Sequence, residues 1–204
     1  MKGGIALEIY VSKDALKEWL IRVGKERAKL WRCWRIASGW DPFIELVWVS
    51  LHIGGVGDEF AAAKVRELIF RANRAGKHLY DFLVDLHRRG ELERTLQDVG
   101  VRMGLQIEAI KGLLDLEQRF NLRNTPPGAI NVNALYRELQ GLRGFADLAH
   151  YGMYELIRLH GFKCPSGLKA TGRLKEKLEL LGLTPTDFNP HELPYVDIAV
   201  WDLG

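Results

Sequence analysis

From Ser12 onward the apolar positions recur every three or four residues instead of alternating, so the chain reads as helix after helix. Ser12 and Asp14, followed by Leu16, Trp19, Leu20 and Val23 on one helical face, mark a capped start; ahead of them Ile5 to Val11 is expected to pair as a short strand. Asp41-Pro42 supplies an N-cap with proline at the first helical position, launching Phe43 to His52. That segment is apolar almost all round and belongs at the centre of a core. Ile53-Gly54-Gly55-Val56-Gly57 then breaks the chain, and Asp58 is expected to cap a helix running to about Asn73 and ended by Gly76.

Helices follow at about Lys77 to Arg89, Glu91 to Val99 and Leu105 to Phe120, separated by Gly90, Gly100 and Gly104. The proline-rich connection Asn124 to Gly128 is the expected crossing point between lobes. Beyond it come a helix at Asn133 to Leu139, a turn at Gly141 to Gly144 and a longer helix from about Ala146 to Leu159. A loop at Gly161 to Gly167 leads to a charged helix ending near Gly182, and Pro185, Pro190 and Pro194 carry the chain to an apolar final helix, Tyr195 to Leu203. No internal repeat is present.

At 204 residues, 47% hydrophobic and 27% charged, the chain can fill one core or two small lobes. Its charge of +3 tolerates nucleic acid without demanding it. The excess lies early, where Lys25, Arg27, Lys29, Arg32 and Arg35 are interleaved with Trp31 and Trp34. Two accounts fit this stretch: a nucleic-acid contact helix, or a solvated amphipathic helix with both Trp rings in the core. Charged residues outnumber Asn and Gln in the manner of heat-adapted proteins. Cys33 and Cys164 stand far apart, which excludes a cysteine-built zinc or iron–sulfur site and leaves two buried thiols as the expectation. Phe43 to Ile53 is too short, and interrupted by Glu45, to span a bilayer, so a cytoplasmic protein is expected.

Several segments could carry chemistry. Gly141-Leu142-Arg143-Gly144, between helices, has the form of a turn that offers backbone N–H groups to a phosphate, and equally of a glycine pair used for packing. Gly54, Gly55 and Gly57 lack the Gly-Lys-Ser/Thr of a phosphate loop. The six histidines show no HExxH spacing, so no metal site is expected. Ser166 and Lys169 form a Ser-x-x-Lys whose supporting motifs are missing. Asp197 and Trp201, four apart, would share one helical face and set a carboxylate beside a large π surface, which suits a nucleobase.

The order of these features resembles the helix-hairpin-helix DNA glycosylases, the superfamily of endonuclease III and the archaeal 8-oxoguanine glycosylases. Asp41 to Val47 resembles the family's Pro-Phe-x-x-Leu opening helix, and Asp58 to Val65 the helix after its substrate-side loop. Leu139 to Phe162 resembles the hairpin with its long second helix, Leu178 to Leu183 the closing Leu-x-x-Leu-Gly-Leu, and Pro194 to Trp201 the C-terminal helix whose Asp and Trp contact the everted base.

The resemblance implies an all-α, two-lobed fold, with a central lobe at about 41–125, a second lobe from 1–40 plus 126–204, and the hairpin at 133–160. It implies a monomer without cofactor that binds double-stranded DNA bearing a lesion or mismatch. Asp197 and Trp201 would hold the base, while Gly141, Arg143, Gly144, Arg32 and Arg35 would contact DNA, with Lys25 to Arg35 and the 141–144 turn facing one cleft. Tyr151 falls where lyase-active members carry lysine, and Lys169 where most carry a catalytic aspartate. Tyrosine there matches monofunctional members, which need no Schiff base. Lysine in place of aspartate opposes the developing positive charge, which leaves three accounts: a different register in this glycine-rich loop, another carboxylate such as Asp147 or Asp187 at the site, or DNA binding without cleavage of the glycosidic bond. Gly55 stands where the family's wedging glutamine often sits. The rival readings are a silent DNA-binding module and a helical scaffold that acts through protein partners.

Overall fold

The apolar run after Asp41-Pro42 becomes the middle of the molecule. In the computed structural model, which describes residues 11–145 and 148–201, Asp41 Oδ1 accepts from Ile44 N at 2.8 Å and opens α2 (Pro42–Ser50). Every residue of α2 from Phe43 to Ser50 is buried, because α3 (Asp58–Arg74), α4 (Leu79–Arg88), α6 (Gly104–Phe120) and α8 (Ala149–His160) all pack on it. Around this axis run α1 (Lys13–Ala37), α5 (Leu92–Asp98), α7 (Val132–Gly141), α9 (Gly172–Leu180) and α10 (Leu193–Ala199). The fold is all-helical: no strand occurs among the described residues, and none of their helices is long and apolar enough to cross a membrane. The strand expected at Ile5 to Val11 falls, Val11 apart, outside the described residues.

Boundaries shift where tertiary contacts decide them. The final helix is shorter than its apolar run: α10 ends at Ala199, where Arg27 Nη1 of α1 donates to the carbonyls of Ile198 at 3.1 Å and Ala199 at 3.4 Å. A guanidinium is thus supplied to the C-terminal carbonyls, which have no partner within the helix. Trp201 consequently lies beyond α10 rather than one turn after Asp197 on the same helical face. Ser166 and Lys169 lie in a non-helical segment, so their spacing does not align hydroxyl and amine on a helix.

Two positions need glycine for space. Gly24 in α1 abuts the Tyr195 backbone of α10, where a Cβ would collide with the carbonyl. Gly152 in α8 lies against Leu46 and Phe145, at 3.2 Å from a notional Cβ. The thiols also differ from expectation: Cys33 is exposed on the solvent side of α1, and Cys164 is half-buried, with burial pushing its thiol up.

Candidate functional site: an aromatic cleft

Where α2 stops, Gln106 from α6 reaches in, its Nε2 donating to Leu51 O at 2.8 Å and Ile53 O at 3.1 Å. This anchors the 53–57 loop, in which Gly54 and Gly55 turn through left-handed φ of 82° and 77°. Opposite the loop stand Leu148 and Tyr151, the start of α9, Asp197 and Trp201. Together they enclose a cleft of about 410 Å³.

Three groups give the cleft its chemistry. His52 hydrogen-bonds Trp48 O through Nδ1 at 3.0 Å and Asp58 Oδ1 through Nε2 at 2.8 Å. Both partners are acceptors, so the ring is held at both nitrogens and its plane is fixed between α2 and the start of α3. Asp58 does not cap α3, as sequence had implied; Gly57 is the N-cap, and the Asp58 carboxylate turns to His52 instead. Tyr151 is buried, and its hydroxyl has no partner among the described residues. Burial, with Glu155 nearby, pushes the phenol well above its ordinary range. It therefore stays a neutral O–H donor and not a phenolate nucleophile.

Trp201 stacks on Tyr151 with centroids 6.0 Å apart and planes 20° from parallel, and it meets the Trp31 ring edge-on at 6.3 Å. The exposed Arg173 guanidinium lies over its indole at 3.9 Å and donates from Nη2 to Trp201 O at 3.0 Å.

Asp197 lines the cleft but is already held. Its Oδ2 accepts from Arg158 Nη1 at 3.0 Å, and the same guanidinium donates to Pro194 O at 3.2 Å and grips Glu155 through Nε and Nη2. Burial raises the Asp197 carboxyl despite Arg158.

The other sequence candidates lie elsewhere. Lys169 is exposed and does not line the cleft; its carbonyl accepts from Tyr154 Oη at 3.0 Å, which pins the segment and directs Thr171, two residues later, to the cleft wall. Thr171 also caps α9, its Oγ1 accepting from Leu174 N at 3.1 Å. The N-cap rule could have found it, since Thr-Gly precedes the charged helix. Asp187 is held by Lys13 at 2.9 Å in a 3-10 turn away from the cleft, and Asp147 falls outside the described residues.

The segments expected to share a cleft line separate depressions. Arg32 joins Arg22, Lys25 and Lys29 along the opposite flank of α1, beside Tyr195. Arg35 is 3% exposed and packed among indoles, out of reach of a backbone phosphate. Gly141 closes α7, and Gly144 takes a φ of 81° against the Leu105 carbonyl. Arg143 lies by Glu108 at the start of α6. Gly55 does line the cleft.

The chain matches no protein-family model, no curated protein and no solved structure. What the cleft can do therefore rests on its own geometry. It offers a phenol donor, two carboxylates, an imidazole and a stacking indole, and no lysine among the residues that line it. Nor do any three His, Cys, Asp or Glu side chains among the described residues converge to hold a metal ion.

Proposed function

We propose that the chain binds DNA and receives a damaged or mismatched base, turned out of the duplex, in the cleft between the 53–57 loop and α9. This is the manner of a helix-hairpin-helix DNA glycosylase without lyase activity. The observation that carries the reading is the buried, unpartnered Tyr151 hydroxyl beside Trp201. A buried donor without an acceptor is costly, and a base edge supplies carbonyl and ring-nitrogen acceptors. On this reading α2–α6 form one lobe, α1 with α7–α10 form the other, and α7 and α8, which pack on each other, are the hairpin.

The base cannot slide between Tyr151 and Trp201. Two ring contacts of about 3.5–4.0 Å each need a wider gap than their 6.0 Å separation. It lies instead along the open edge of the pair, one edge at the Tyr151 hydroxyl and its face over the part of the indole now under Arg173, and the displaced guanidinium is free to meet a phosphate. On this reading Asp58 takes a proton from water as that water adds to the sugar C1′; the C–N bond breaks and the base leaves with the bonding pair. Without a cleft lysine no Schiff base forms, and the product is an uncut abasic strand.

A second reading has its own support. Both cleft carboxylates are engaged, Asp58 by His52 and Asp197 by Arg158, which favours a module that holds the base without hydrolysing it.

Oligonucleotides carrying 8-oxoguanine, uracil, hypoxanthine or a G·T mismatch, scored for base release with and without alkali, separate the two. Release that is revealed only by alkali is the expected result. Salt-sensitive binding without release selects the silent module, and absence of binding even at low salt ends both readings. Trp201→Ala should weaken binding of a lesion duplex by about 1–3 kcal/mol, the worth of one base stack.

A further inference from the structure

A second groove adjoins the cleft. It is about 590 Å³ in volume and runs between the C-terminal half of α1 and the first turns of α3. Asp58 lines both depressions, and Trp31, on the groove wall, touches the cleft's Trp201 edge-on. Two of its lining residues are almost wholly buried, Arg35 at 3% and Trp48 at 1% exposure. Three of their N–H groups, Arg35 Nε and Nη1 and Trp48 Nε1, have no acceptor among the described residues. The outer wall is Trp34, 46% exposed, with the Arg66 guanidinium 5.4 Å from its ring.

Each feature asks for the same partner chemistry. Unpartnered buried donors call for an acceptor, an exposed indole for a flat π face, and a rim guanidinium for an anion. Asp58 and Glu59, also on the groove, accept from amino and ring N–H groups. A nucleotide carries all of these groups in one unit.

We infer that this groove is a second base-stacking subsite, which takes the unpaired nucleotide next to the one in the cleft. The inference rests on the base-binding reading of the cleft for its neighbour, and on its own buried donors and indoles for its ligand. The preferred substrate is then a short run of unpaired strand, or duplex opened over two adjacent positions, and not a single base flipped from an otherwise paired helix.

The test is fluorescence anisotropy with two labelled probes, a single-stranded oligothymidine about a dozen nucleotides long and a fully paired duplex with one abasic analogue. Trp34→Ala and Arg66→Ala are compared with the cleft variant Trp201→Ala, and circular dichroism melts check that each variant folds. Trp34→Ala should weaken the single strand about 5- to 150-fold, the effect of losing one stack, and leave the abasic duplex unchanged. Trp34→Phe, which keeps a π face, should retain most of the affinity, and Arg66→Ala should flatten the salt dependence. If Trp34→Ala binds the single strand as the parent does while Trp201→Ala loses it, the second subsite is wrong and the cleft reading stands. If neither variant changes binding, both fall. A parent dimer that Trp34→Ala dissolves, with nucleotide binding unchanged, would overturn the proposal in favour of self-association.

Discussion

Two buried arginines face buried carboxylates in this core, and they are solvated by the protein in opposite ways. Arg158 is enclosed by hydrogen bonds, to Glu155, to Asp197 and to the Pro194 carbonyl. Burial disfavours its charge, but the two carboxylates outweigh that and hold the guanidinium above its ordinary value. Among the described residues Arg35 has one ionic contact, Nη2 to Glu45 Oε1 at 3.6 Å, and is otherwise clasped by the Trp40 and Trp48 rings at 3.9 and 4.4 Å. Both Glu45 oxygens lack a hydrogen bond, and His160 Nε2 stops 3.8 Å away. Burial raises the Glu45 carboxyl. A saturated guanidinium is a fixed post that ties α8 to α10 behind the cleft. An aromatic cage stabilises charge through the ring faces and leaves the N–H directions uncommitted.

Removing each cation in turn separates the two kinds of solvation. Arg158→Met leaves Glu155 and Asp197 buried without a counter-charge, and should cost about 3–5 kcal/mol. Arg35→Met strands only Glu45, which burial already favours in its neutral form, so the loss should be nearer about 1–3 kcal/mol. Urea unfolding of both proteins measures the difference. Equal losses would show that the cage holds its charge as firmly as the hydrogen-bonded cluster does.

A pH series sharpens the point. The Glu45 carboxyl titrates higher in the folded chain than its ordinary 4.5, so the folded state binds the extra proton. Its contribution to stability is present at low pH and is lost as pH rises from about 4.5 toward the folded value. Glu45→Gln removes that loss, so the variant should gain on the parent between acid and neutral pH. A stability difference independent of pH would mean that Glu45 binds its proton equally in the folded and unfolded chain, with no upward shift on folding.

The smallest effect belongs to a surface pair. Lys13 and the Thr184 backbone N–H, against the upward pull of desolvation, draw the Asp187 carboxyl down to about 2. A lowered carboxyl contributes above its ordinary 3.8 and loses that contribution as pH falls toward 2. Asp187→Asn should therefore melt slightly below the parent at neutral pH and converge with it in acid. Persistent separation at low pH would assign the effect to packing.

Much of the helical order was legible because it depends on local rules. Asp41-Pro42 opens α2, and the unbroken apolar run that follows could only be central. The cleft was half legible. Tyr151, Asp197 and Trp201 do line it, but the guanidinium that occupies Asp197 comes from a helix nearly forty residues earlier, a distance over which periodicity is silent. Arg35 looked like one more surface cation in a basic stretch, since nothing local marks the indoles that enclose it. His52 and Asp58 stand six apart across a glycine loop and meet only because that loop reverses direction. The spacing from Tyr151 points to Lys169, but it crosses residues 161–170, which have no regular repeat, and the wall position belongs to Thr171.

Gly24 carries a consequence for the width of the cleft. Because that position has no side chain, α10 rests backbone to backbone on α1, and the far end of the same contact sets Trp201 against Trp31. The two helices act like hinged jaws, with the missing methyl as the clearance at the pivot. A wedge as small as alanine there would have to lift α10, and the displacement would arrive at the indole as a change of aperture, without any residue of the cleft having been touched.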